Sequence, residues 1–130
     1  MPSMPECHFC LDNNLFDGEI LVQTDTAYMV RPLGSEHNTL IIPKSHVESP
    51  LELSPTWWAS LAELLAKVPD LSESYNISLN YGKPAGQTQP HLHFWVVGRA
   101  DGEPASGIGL AKLVRLYNEV QSDSAARSNS

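Results

Sequence analysis

The sequence predicts an α+β domain, an antiparallel sheet of five strands with two helices packed on one face. Three observations lead there. Short β-rich runs crowd the first third of the chain, two later stretches repeat apolar residues at helical spacing, and turn-forming residues separate them.

Residues 20–23 and 27–31 are β-rich and flank Thr24-Asp25-Thr26, which reads as a hairpin. Residues 32–36 form a loop, and 39–42 a third strand that Pro43 closes. Ser54 is an N-cap with Pro55 at the first helical position. Trp57, Trp58, Leu61, Leu64, Leu65 and Val68 then recur on one helical face until Pro69 ends it. The two tryptophans are core or interface anchors. Residues 77–80 and 91–97 are the last two strands. A final helix spans about 109–120, with Leu110, Leu113, Val114 and Tyr117 on its apolar face. No repeat or internal linker interrupts residues 1–120, which read as one domain. The small polar residues 121–130 read as a disordered tail.

The chain has 130 residues, 42% of them apolar, enough for one core without staples. Its formal charge of −7 leaves no basic stripe for coating a nucleic acid. One small nucleotide remains a possible ligand, because backbone N–H groups and neutral donors can hold its phosphate. No apolar run approaches the roughly 18 residues of a membrane span, and residues 1–7 lack a signal-peptide core. The expectation is a cytoplasmic protein with no membrane partner. The two cysteines, Cys7 and Cys10, sit too close in sequence to staple a domain. That leaves a metal knuckle, a redox pair or two idle thiols. His8 and His37 read as surface residues.

The chemistry concentrates in residues 82–97. Strand side chains alternate, so Leu92, Phe94 and Val96 share one face, suited to a core. His91, His93, Trp95 and Val97 share the other. Two histidines so placed lie about 7 Å apart and can line a site, bind a metal, or simply face solvent. The Gly- and Pro-rich loop before them can bring backbone N–H groups to an anion.

The run Gly86-Gln-Thr-Gln-Pro-His-Leu-His-Phe-Trp-Val-Val97 resembles the signature of the histidine-triad (HIT) superfamily. Asn38-Thr-Leu-Ile-Ile-Pro-Lys-Ser-His-Val47 is similar to an upstream segment of that family, and Cys7-His-Phe-Cys10 to the opening of many bacterial members. The likeness spans about residues 6–98. It implies a HIT-like fold that pairs two copies into a ten-stranded sheet, hence a homodimer. It also implies that His93 attacks the α-phosphorus of a nucleotide, giving a nucleotidyl-histidine intermediate that water releases. A neutral imidazole suits that task near neutral pH.

By the same resemblance, Gln87 assists catalysis and Asn80 and Thr88 contact phosphate, while Phe9 and Tyr28 fall in the base pocket. Cys7, Cys10, His46 and His91 match the four ligands of a structural zinc. Three positions depart from the pattern. Trp95 replaces the third histidine and shapes the pocket with one N–H donor and no proton relay. His37-Asn38 replaces a Gly-His pair. Val30 replaces a ribose-binding polar residue, for which Arg31 is the candidate substitute. The implied activity is hydrolysis of a dinucleoside polyphosphate, nucleoside phosphoramidate or phosphate ester. The alternatives are nucleotidyl transfer or phosphorolysis, and a weakly active zinc-containing nucleotide-binding module.

Overall fold

The computed structural model of the chain describes residues 3–35 and 37–128. Its elements run β1 (Gly18–Gln23), β2 (Ala27–Pro32), β3 (Asn38–Pro43), α1 (Pro55–Leu65), β4 (Ser74–Leu79), β5 (Phe94–Arg99) and α2 (Leu110–Ser128). The five strands form one antiparallel sheet in the order β1-β2-β3-β5-β4. The chain divides into two compact units between Gly98 and Arg99.

Strand alternation builds the first unit. Met29, Ile41, Leu92, Phe94 and Val96 turn to one face and pack with Trp57 and Leu64 of α1. Tyr28, Val30, Leu40 and Ile42 turn to the other, where Phe9 of the N-terminal segment covers them. Each fully buried large aliphatic residue, such as Leu64, stabilises the fold by roughly 1.5–3 kcal/mol. Helix α1 starts as its sequence dictates, with the Ser54 hydroxyl accepting from Trp57 N and Pro55 in the first turn. Its Ser60 hydroxyl lies 2.5 Å from that of Thr26, which ties the helix to the β1–β2 turn.

Several boundaries differ from the sequence reading: β1 starts at Gly18, α1 stops at Leu65 and β4 starts at Ser74. Two further differences matter more. The β5 ladder begins at Phe94, opposite Ile41, rather than at His91. Pro43 ends β3 and has no N–H for another rung, so residues 91–93 bond elsewhere: Leu92 N donates to Val47 O at 2.8 Å. In the second unit, α2 runs to Ser128 instead of stopping at Val120, so residues 121–128 are helical rather than a disordered tail. No Gly or Pro falls between Leu110 and Ser128 to stop the helix. The expectation for 129–130 lies outside the described residues, as does that for Glu36 in the 32–36 loop. The α2 stripe of Leu110, Leu113, Val114 and Tyr117 is exposed. Among the described residues no helix is long and apolar enough to cross a membrane.

Candidate active site and metal centre

Four residues from three stretches of chain converge beneath the N-terminal segment. Cys7 and Cys10 come from that segment, His46 from the loop after β3, and His91 from the approach to β5. One ligand atom from each lies within 4.8 Å of all the others. Cys7 Sγ is 3.4 Å from His91 Nδ1, and Cys10 Sγ is 3.3 Å from His46 Nδ1 and 3.5 Å from His91 Nδ1. A tetrahedral zinc with Zn–S near 2.3 Å and Zn–N near 2.05 Å would set such edges at roughly 3.6 Å.

The outer bonds of the two imidazoles reinforce that fit. His91 Nε2–H donates to the Pro43 carbonyl at 2.7 Å, and His46 Nε2–H donates to the Glu48 carboxylate at 2.8 Å. Each ring therefore turns a bare Nδ1 toward the sulfurs, as a metal ligand requires. Burial pushes the His91 pKa down to about 4, and it raises that of the Cys7 thiol. The cluster can hold a metal ion.

His93 sits two residues on. Its Nδ1–H donates to the His91 carbonyl at 2.9 Å, which leaves Nε2 with the lone pair. Only 5% of the residue is exposed, and burial holds its pKa below the usual imidazole range. Burial therefore favours the neutral ring, and the bond to the His91 carbonyl sets its orientation. The Phe9 ring packs edge-on to it at 4.8 Å, with the Trp95 ring 6.4 Å away.

The loop before these histidines is shaped by its own bonds. Gly82 and Gly86 adopt φ of +88° and +97°, which favours glycine. The Gln87 side chain spans the loop, accepting from Gly82 N at 2.8 Å and donating to Pro90 O at 3.2 Å. A Cβ on Gly86 would come within 3.3 Å of the Asn80 amide, so Asn80 lies against the loop. The loop walls a cleft of about 670 Å³ whose lining includes Glu48, Tyr81, Lys83, Gln87 and Thr88. His93 is not among its lining residues.

Two of the residues expected to bind nucleotide are engaged within the fold, Tyr28 on the His93 face and Arg31 on the opposite one. Tyr28 is fully buried, with its hydroxyl donating to the Phe9 carbonyl, so it anchors the N-terminal segment instead of lining an open base pocket. Arg31 lies on the α1 face of β2 and donates to Pro69 O at 3.3 Å, across the sheet from His93. Strand parity separates the two: Tyr28 and Arg31 are three residues apart and cannot share a face. Glu48 escaped the sequence reading. Its only signal was a carboxylate two residues after a candidate histidine ligand.

Comparison with known proteins places these features. Residues 17–102 match the HIT domain. Over 131 aligned residues the chain is 30% identical to an adenosine 5'-monophosphoramidase of Saccharomyces cerevisiae, covering 88% of this chain and 80% of that protein. It is 26% identical over 153 residues to an adenosine 5'-monophosphoramidase of Candida albicans, covering 99% and 98%. A zinc-bound histidine triad family protein of Mycobacterium smegmatis has the same fold, with a TM-score of 0.63 at 24% identity over 78% of this chain and 81% of that one.

Proposed function

This chain belongs to the HIT family, and from that premise we propose a nucleotide hydrolase that works through a nucleotidyl-His93 intermediate and carries a structural zinc. The observation that carries the reading is the fixed, neutral His93 ring with its Nε2 lone pair uncommitted. Nε2 forms a bond to the α-phosphorus while the bond to the leaving group breaks and that group departs with the electron pair. Water then attacks phosphorus, the N–P bond breaks, and a nucleoside monophosphate leaves with His93 restored. In this reading the remaining N–H of Gln87, the Thr88 hydroxyl and the Asn80 amide donate to phosphate oxygens, and their position at the loop supports it. Cys7, Cys10, His46 and His91 would hold the zinc, which would brace the backbone whose carbonyl orients His93. The two relatives named as phosphoramidases support a nucleoside phosphoramidate among the substrates.

In this reading the protein is cytoplasmic, and its partner is a small nucleotide rather than a nucleic acid. Two copies pair through a sheet edge, and exposed Tyr75 and Ile77 on edge strand β4 support that pairing. Trp95 favours a second reading, because an indole beside His93 relays no proton to a leaving group. That reading is transfer to phosphate or another acceptor, or nucleotide binding with little turnover.

Acid-quenched intact-mass spectrometry with a panel of adenylyl donors tests the proposal. Wild type gains a nucleotide-sized adduct, and His93→Ala gains none while kcat/KM falls roughly 10³-fold or more. An absence of adduct and product with every donor overturns the hydrolase and leaves the binding module. Phosphate-dependent release of a nucleoside diphosphate selects transfer.

A further inference from the structure

A recess of about 270 Å³ opens on the α1 face of the sheet, across from His93. Strands β2, β3 and β5 form its floor, and the α1–β4 connection its wall, with Arg31, His37, Thr39, Asp70, Ser72 and Gly98 lining it. We propose that this recess is a second binding site, for a small oxyanion such as inorganic phosphate or a carboxylate.

The Arg31 guanidinium drives the argument. One of its nitrogens, Nη2, holds the Pro69 carbonyl, while Nε is buried without a hydrogen-bond partner. Among the described residues Arg31 joins no ion pair, although Asp70 lines the recess and Glu19 lies directly across the β1–β2 ladder. A buried donor on a permanent cation is costly unless an acceptor reaches it, and a charged acceptor serves best. Guanidinium presents its N–H groups as a planar fork matched to phosphate and carboxylate oxygens.

Hydroxyl donors stand close by. Thr39 is only 2% exposed yet lines the recess. Gly98 lacks the side chain that would exclude Ser72, since a Cβ there would come within 2.6 Å of Ser72 Oγ. The absent side chain lets a second hydroxyl sit over β5. A volume near 270 Å³ admits a small oxyanion with a few waters, water occupying about 30 Å³ each.

The test is a titration of the ¹⁵N-labelled full chain with inorganic phosphate, at ionic strength held constant with chloride and read by NMR. The expected result is a saturable shift of the Arg31 Nε–H signal and of the Thr39, Ser72 and Gly98 amides. Arg31→Met weakens that binding roughly tenfold or more, and Arg31→Lys, which keeps the charge and loses the fork, falls between. A parallel acetate titration separates the carboxylate source from the phosphate source of the same chemistry. Shifts confined to residues 82–90, no saturable shift with either anion, or equal affinity in Arg31→Met would each overturn the proposal. If Arg31→Met does not fold, the wild-type shift map and Arg31→Lys decide.

Discussion

The two halves of the His93 neighbourhood are built by opposite means. The Cys/His cluster that could hold a metal draws its residues from positions 7 to 91, and each imidazole is locked by a second bond to Pro43 or Glu48. The 82–90 loop is closed by contacts spanning five residues or fewer, and most of it is exposed. One side is held by long-range convergence and the other by local backbone conformation. Damage to the cluster therefore spreads through the fold, whereas damage to the loop stays with the ligand it would hold.

Substitution can break that contrast. Cys10→Ser gives the largest expected effect: the fully buried ligand loses its thiolate, and stability at saturating zinc drops by about 4 kcal/mol, as when a thousandfold excess over Kd ceases to act. Thermal melts with and without chelator check it, since the two curves separate in wild type and coincide in the variant. Glu48→Ala is milder. It frees the His46 ring and weakens zinc binding about 10- to 100-fold by chelator competition, with Glu48→Gln restoring part of the loss. Gly86→Ala has the smallest effect on the fold, about 1–2 kcal/mol from forcing a side chain into φ +97°. Its main consequence is weaker nucleotide affinity by calorimetry at unchanged zinc content. A lowered zinc content in Gly86→Ala would show that loop and cluster form one unit.

Much of the fold was legible because it follows from alternation and capping. Leu92, Phe94 and Val96 do pack against α1, and Ser54-Pro55 does open it. The start of β5 was misplaced because a ladder needs a partner, and Pro43 withholds one. The extent of α2 is not legible because the small polar residues after Val120 bury no apolar area and so read as a tail. Resemblance brought together the cluster residues, which no local pattern could have joined across 84 positions. Strand parity alone separates Arg31 from Tyr28, so one face of β2 cannot carry both toward a common ligand. Glu48 and the Pro43 carbonyl act through side-chain orientation and leave almost no trace in a single sequence.

The separation between Cys7 and His91 also bears on synthesis. Cys7 leaves the ribosome 84 residues before its histidine neighbour. At about 5–20 residues per second, both thiols wait roughly 4 to 17 seconds before the last ligand is made. During that interval the nascent chain carries a vicinal dithiol that gains His46 partway and lacks His91 to the end. Its first chemical hazard is mispairing or capture by a stray soft metal, and a reducing, metal-buffered compartment suits its birth.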